Sequence, residues 1–103
     1  MLSDKRQFPR KAIEASVFFQ IGTGPRTEAR CRDVSLGGMF IETPEVLPYG
    51  TAVRVFIQLP GMRGETAIDT IVRWSKPDGM GVQFGVMGAR ETHGLTQLLA
   101  GQQ

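Results

Sequence analysis

One group of residues near the start of the chain combines charge and aromaticity at a spacing suited to binding an anion. Arg6, Phe8 and Arg10 alternate in a segment where Pro9 removes a backbone donor and disfavours helix at the residue before it. In an extended chain, side chains two residues apart share a face. Two guanidiniums would then project beside one aromatic ring. The alternative is a solvated basic segment whose arginines contact nothing.

A second group lies in the stretch Asp33-Val34-Ser35-Leu36-Gly37-Gly38, whose composition is typical of a structured turn. The side chains of Asp33 and Ser35 can hydrogen-bond backbone amides one or two residues ahead. Gly37 and Gly38 allow either a positive φ or the close approach of another group to bare backbone. Such a turn can accept the N–H edge of a purine and donate to an anion. The alternative is a hairpin turn whose polar groups satisfy only one another.

The segments on either side of this turn predict how the two groups are positioned. Residues 12–21 alternate apolar and polar side chains, and alternation resumes over residues 26–34 after a turn at residues 22–25. The side chains expected on the inner face of the first strand are Ile13, Ala15, Val17, Phe19 and Ile21. In an antiparallel hairpin the start of the first strand lies beside the end of the second. The arginine segment and the Asp-Ser-Gly turn should therefore meet in space.

The rest of the chain continues as short strands separated by turns. The predicted elements are a strand at 39–42, a loop at 43–50, strands at 51–59, 65–76 and 80–84, and a short helix after residue 88 that Gly94 weakens. Five or six short strands without crossover helices predict an all-β barrel or sandwich. We favour a small antiparallel barrel, because closure removes exposed strand edges. The expected organisation is a flexible arginine segment, residues 1–11, followed by one domain, residues 12–103.

Charge and composition narrow the classes of function. The formal net charge is only +2, yet seven of the 12 Lys and Arg residues and four of the 10 acids lie in residues 1–33. This asymmetry favours a small anion held near the N-terminal part over a long polyanion. The single cysteine, Cys31, and the single histidine, His93, exclude a disulfide and predict no metal site. We expect no membrane insertion and a cytoplasmic location, since no signal sequence or long apolar run is found.

The two groups taken together resemble the PilZ domain family. The shared features are Arg6-x-x-x-Arg10 followed by Asp33-x-Ser35-x-x-Gly38, together with Gly38-Met39-Phe40-Ile41, Val72-Arg73-Trp74 and Gly79-Met80-Gly81-Val82-Gln83-Phe84. The resemblance covers essentially the whole chain. It implies a six-stranded antiparallel β-barrel with a C-terminal helix that binds the bacterial second messenger cyclic di-GMP.

The resemblance also implies roles for individual residues. Arg6 and Arg10 match arginines that clamp phosphates and the Hoogsteen edge of guanine, a task suited to a planar guanidinium. Asp33 matches the acid that accepts guanine N1–H and N2–H₂. Ser35 matches a serine that contacts phosphate or a base edge, and Gly38 a glycine that lets the ligand lie against backbone.

Three further positions are weaker candidates for the same site. Lys5 stands where many relatives carry an extra arginine or another residue that influences ligand stoichiometry, which leaves one or two bound nucleotides open. Gly37 belongs to the same turn as Gly38. Trp74 is either a core residue, since it shares the predicted inner face with Val72, or the floor of the ligand pocket.

The expected function is therefore a binding module. It is predicted not to be an enzyme, because neither a nucleophile with a base nor a metal-ligand cluster is present in the sequence. Residues 2–11 should be mobile without cyclic di-GMP and ordered over it, and output should pass to a downstream protein. The alternatives are an adaptor that has lost nucleotide binding and a barrel that binds single-stranded nucleic acid. The second usually shows basic and aromatic residues interleaved on strands, and here the basic residues cluster at one end.

Overall fold

The structure, a computed structural model, describes residues 11–101 of the 103-residue chain. Six strands precede one helix. Their bounds are β1 Lys11–Gln20, β2 Thr27–Val34, β3 Gly38–Glu42, β4 Ala52–Gln58, β5 Glu65–Lys76, β6 Gly79–Phe84 and α1 Ala89–Gly101. Each predicted strand is present, with ends that differ by at most one residue.

The six strands form a closed barrel in the order β1-β2-β3-β6-β5-β4, and every neighbouring pair is antiparallel. The prediction of a small antiparallel barrel with a C-terminal helix is confirmed. The first hairpin is also confirmed, because Lys11 pairs with Val34 and Ala12 with Asp33. The start of β1 thus lies beside the end of β2, as the alternation of the two segments requires.

The alternating apolar side chains of the strands fill the barrel interior. The core contains Val17, Phe19, Cys31, Val34, Met39, Ile41, Val53, Val55, Ile57, Ile68, Val72, Met80 and Val82 among others. Helix α1 adds Leu95, which is fully buried. Its Gly94 is a packing residue, since a Cβ there would lie 3.1 Å from Leu59 Cβ and from Leu59 Cδ1. The glycine that weakens the helix in isolation thus brings the helix close to the barrel.

One residue of the predicted inner face of β1 lies elsewhere. The strand ends at Gln20, and Ile21 is 47% exposed in the turn that follows. Its side chain is outside the core because the chain has already left the ladder. The alternation pattern extends one residue further than the strand does.

Three irregularities in the ladders change which side chains face outward. In β1 the register against β2 passes from Ala12↔Asp33 to Ala15↔Cys31, so β1 has one extra residue between them. In β2 the register against β3 passes from Cys31↔Ile41 to Asp33↔Phe40, so Arg32 is an extra residue. In β5 the register against β6 passes from Val72↔Val82 to Trp74↔Gly81, so Arg73 is an extra residue. Each is a β-bulge, a feature that re-aims the side chains on its strand.

Helix α1, the helix within residues 11–101, is not long and apolar enough to cross a membrane.

Candidate functional site

A row of five residues crosses the outer surface of the barrel and connects Asp33, at the start of the Asp-Ser-Gly turn, with Trp74. The pairs Ala12↔Asp33, Asp33↔Phe40, Phe40↔Gly81 and Gly81↔Trp74 connect β1, β2, β3, β6 and β5. We call these five residues the outer row. Neighbouring strands are roughly 4.8 Å apart, so Asp33 and Trp74 are separated by about 14 Å along it. This span suits a ligand of dinucleotide size.

The position of Trp74 rules out the interpretation of this residue as core. Thr70 and Val72 are buried, but Trp74 is 37% exposed. The bulge at Arg73 is the physical reason, because the extra residue shifts the alternation and turns Trp74 to the outer face. Simple period-two alternation cannot predict such a shift.

Phe40 and Trp74 form an aromatic pair on this outer face. Their ring centroids are 5.3 Å apart, and the ring planes differ by 15°. The pair lies over bare backbone of β6: a Cβ at Gly81 would lie 2.2 Å from Trp74 Cε2, and one at Gly79 would lie 2.3 Å from Phe40 Cζ. The glycines of β6 therefore create the space that the two rings occupy.

Sequence reasoning did not assign Phe40 to the site. A signal was available, because Met39 and Ile41 are both buried and the residue between them on a strand must point outward. An outward aromatic directly opposite Asp33 is then a candidate for contact with a base. The run of apolar residues in β3 hides this alternation.

Ser35 stabilises the turn that follows Asp33. It is 6% exposed, and its Oγ accepts hydrogen bonds from Gly37 N–H at 3.0 Å and from Gly38 N–H at 3.3 Å. The Ser35 N–H also donates to the Gly38 carbonyl at 2.8 Å. The distance from Ser35 Oγ to the Gly38 carbonyl is 3.5 Å, which is long for a hydroxyl donor. The oxygen is thus engaged within the turn, while its O–H lacks a good acceptor there.

Gly38 is required by the contact between β3 and β6. A Cβ at this position would lie 2.1 Å from the Val82 carbonyl oxygen. Neither Gly37 nor Gly38 has a positive φ, so close approach is the reason for glycine at position 38. Gly37 adds a second link to the same strand, because its carbonyl accepts a hydrogen bond from Phe84 N–H at 2.9 Å.

The cations nearest to Asp33 in sequence are paired with acids. Arg32 Nη1 lies 2.9 Å from Glu42 Oε2, and Arg30 Nη1 lies 3.1 Å from Glu14 Oε1. All four side chains are well exposed, so each pair contributes little to stability. Their charges nevertheless compensate one another locally.

Lys5, Arg6 and Arg10 lie outside the described residues. The described chain begins at Lys11, one residue after Arg10, and Lys11 pairs with Val34 next to Asp33. The structure therefore brings together Asp33, Ser35, Gly37 and Gly38 and places Trp74 on the same outer row. His93 is exposed on α1, away from these residues in sequence.

No group of three or more His, Cys, Asp or Glu side chains that could hold a metal ion is found among residues 11–101. Cys31 is buried and forms no disulfide, and its Sγ donates to the Asp33 carbonyl at 3.3 Å.

Comparison with known proteins identifies what this arrangement is similar to. The family profile described as "PilZ domain" matches residues 4–101. Among solved structures, the PilZ domain of CeSA from a cellulose-synthesizing bacterium has a TM-score of 0.71 at 17% identity, covering 90% of this chain and 96% of that one. The comparison with curated proteins gives no match.

Two other similar structures contain a nucleotide. PlzA of Borreliella burgdorferi in complex with c-di-GMP has a TM-score of 0.71 at 14% identity over 93% of this chain, and the MrkH–c-di-GMP complex of K. pneumonia has a TM-score of 0.71 at 15% over 96%. This chain spans only 41% of the PlzA chain and 52% of the MrkH chain. At these identities the likeness is one of fold.

Proposed function

We propose that this domain, which belongs to the PilZ domain family, is a receptor for cyclic di-GMP in the bacterial cytoplasm. Domains of this family are receptors or adaptors and not enzymes. The observation that carries the proposal is the outer row, which aligns Asp33 with the Phe40–Trp74 pair across neighbouring strands. The chain enters β1 beside Asp33, one residue after Arg10.

The proposed contacts recognise different chemical groups of one guanine nucleotide within cyclic di-GMP. The Asp33 carboxylate accepts hydrogen bonds from guanine N1–H and N2–H₂. Arg6 and Arg10 donate to phosphate oxygens or to guanine O6 and N7, in the bidentate geometry that a guanidinium favours. Trp74 offers an aromatic surface for the base, a contact worth about 1–3 kcal/mol in single-stranded nucleic-acid complexes.

The turn contributes by holding the carboxylate and by offering one further donor. We assign to Ser35 a hydrogen bond from its O–H to phosphate or a base edge, since this hydrogen has only a long contact to the Gly38 carbonyl. Gly37 and Gly38 keep the turn against β6, so that the ligand can lie close to backbone. Lys5 supplies an additional phosphate contact in this scheme.

A calorimetric titration tests the proposal directly. Cyclic di-GMP should bind with a dissociation constant near 1 μM, about −8 kcal/mol, whereas GTP and a short RNA at the same salt concentration should bind far more weakly. Salt should weaken binding only moderately, because the ligand has just two phosphodiesters. Absence of heat at tens of micromolar cyclic di-GMP, with a folded protein by circular dichroism, would refute the proposal.

A steep salt dependence together with tight RNA binding would instead favour the nucleic-acid alternative. The charge distribution argues against it, because the arginines on β2 are paired with glutamates. A surface that tracks a polyanion needs uncompensated cations along its length.

We further propose that residues 2–10, the part of the N-terminal segment that precedes β1, close over the bound nucleotide and that this closure is the signal. The segment has no apolar periodicity and several like charges, so it can bury little surface to offset its ordering cost of roughly 1–2 kcal/mol per residue. Hydrogen exchange should therefore be fast at Gln7, Phe8 and Arg10 without cyclic di-GMP and slower with it. Protection of these amides in the free protein would mean that the segment is part of the fold and that the signal leaves by another route.

A further inference from the structure

Arg73, the extra residue in the β5 bulge, differs in its partners from four other arginines on or next to the strands. Four arginines lie within ion-pair distance of a carboxylate; the pairs are Arg26–Glu65, Arg30–Glu14, Arg32–Glu42 and Arg54–Asp69. Within residues 11–101, Arg73 makes no such pair. Its Nε donates to Gln83 Oε1 at 2.6 Å, and its Nη1 donates to the Tyr49 hydroxyl at 3.2 Å. Neutral partners thus fix the guanidinium without compensating its charge.

The residues around Arg73 form an exposed cluster that contains both polar and apolar side chains. Tyr49 is 70% exposed and lies with its ring centroid 5.9 Å from Arg73 Cζ. Ile71, which pairs with Gln83 across β5 and β6, is 39% exposed. We call Tyr49, Ile71, Arg73 and Gln83 the docking cluster.

The loop that carries Tyr49 is fixed to β5. Gly50 N–H donates to the Val72 carbonyl at 2.7 Å, and Val72 N–H donates to the Thr51 carbonyl at 3.0 Å. The Ser75 hydroxyl donates to the Leu47 carbonyl at 2.9 Å. The tyrosine and the arginine are therefore held on a rigid surface before any partner arrives, which lowers the entropic cost of binding.

We propose that the docking cluster binds an acidic, leucine-bearing segment of a partner protein. Tyrosine and arginine are enriched among residues that dominate protein–protein binding energy. The unused guanidinium N–H groups can donate to a carboxylate, and the Tyr49 ring and Ile71 offer apolar contact to a neighbouring side chain. The two acids of β5, Glu65 and Asp69, pair with Arg26 and Arg54, so they do not repel such a segment strongly.

The docking cluster lies next to the outer row, because Arg73 precedes Trp74 within the same bulge. A nucleotide on Trp74 and a partner on Arg73 would then contact adjacent residues of one strand. This inference goes beyond the proposed function. Measuring the affinity for cyclic di-GMP distinguishes partner binding from nucleotide binding, because the nucleotide should bind equally well when the docking cluster is altered.

The experiment uses the full chain labelled with ¹⁵N and a short capped peptide of glutamate and leucine. Addition of the peptide should shift the amide signals of Tyr49, Ile71, Arg73 and Gln83, and a peptide with glutamine in place of glutamate should not. Arg73→Gln should weaken peptide binding about tenfold, the loss expected for a charge-assisted hydrogen bond. Tyr49→Ala should weaken it as well. Cyclic di-GMP affinity should change less than twofold in both variants.

Arg63→Gln is the matched control, since it removes the same charge from an exposed loop residue. Peptide binding to this variant should stay within twofold of the unaltered protein. Equal weakening by Arg63→Gln, shifts centred elsewhere, or no shift at millimolar peptide would overturn the proposal. Tighter binding of oligouridylate to the same residues would also overturn it in favour of a nucleic acid. A tenfold loss of cyclic di-GMP affinity in Arg73→Gln would assign the arginine to the nucleotide site instead.

Discussion

Gly38→Ala is expected to destabilise the domain by about 3 kcal/mol or more, which is a large fraction of the free energy of unfolding of a small domain. The added methyl would lie 2.1 Å from the Val82 carbonyl oxygen, within the ladder that joins β3 to β6. Both atoms belong to backbone or to a group bonded directly to it, so no side-chain rotation can relieve the contact. Strands β3 and β6 would have to separate at this pairing, which would disrupt the closed barrel.

Chemical denaturation followed by circular dichroism measures this loss, and Gly85→Ala is the matched control. Its added Cβ would lie 3.3 Å from the Asp69 carbonyl oxygen, a distance that a small shift can accommodate. We expect the control to change the free energy of unfolding by less than about 1 kcal/mol. A Gly38→Ala protein as stable as the control would show that β3 and β6 can move apart without cost.

Arg10→Ala is expected to weaken cyclic di-GMP binding at least tenfold. Each charge-assisted hydrogen bond that the guanidinium donates contributes about 1.5–3 kcal/mol. Arg10→Lys should restore only part of the affinity, because an ammonium cannot donate two parallel hydrogen bonds in one plane. The melting temperature of the ligand-free protein should stay unchanged, since the arginine is proposed to act on the ligand and not on the barrel.

The controls for Arg10 separate ligand contact from general charge. Asp33→Ala should also weaken binding and, in addition, reduce the preference for guanine over adenine nucleotides. His93→Ala, an exposed substitution on α1, should leave the affinity unchanged. An Arg10→Ala protein that binds like the original, or that melts earlier without ligand, would show that the division between N-terminal segment and barrel is wrong.

The arrangement of the first hairpin follows from the sequence because two physical rules act together. Alternation defines the inner faces of β1 and β2, and the short turn between them forces antiparallel pairing. Hairpin geometry then gives the register from Phe19↔Thr27 to Ala15↔Cys31, and a register shift between Ala15 and Ala12 brings Ala12 beside Asp33. For the same reason, the position of the start of β1 beside the Asp-Ser-Gly turn could be anticipated from local patterns.

The aromatic side of the site could not be predicted in this way, because it depends on ladders between distant strands. The position of Trp74 depends on a bulge opposite β6, and no local pattern in residues 65–76 reveals an extra residue there. The need for glycine at positions 38 and 81 comes from β6 backbone and from the Trp74 ring, respectively, both distant in sequence. Turn chemistry alone allows either a positive φ or close approach at position 38, and the β3–β6 ladder decides for close approach.

The bulge at Arg73 also bears on how the length of β5 can vary between relatives. Residue 73 is supernumerary in the pairing of β5 with β6, so a chain that lacked it would bring Trp74 opposite Gly81 by regular alternation. The tryptophan would keep its outward direction and the ladder would keep its register. Loss of a single codon, rather than a substitution, is therefore the least disruptive way to remove the arginine while preserving the aromatic pair. Relatives with different partners could diverge by insertion and deletion at this one position.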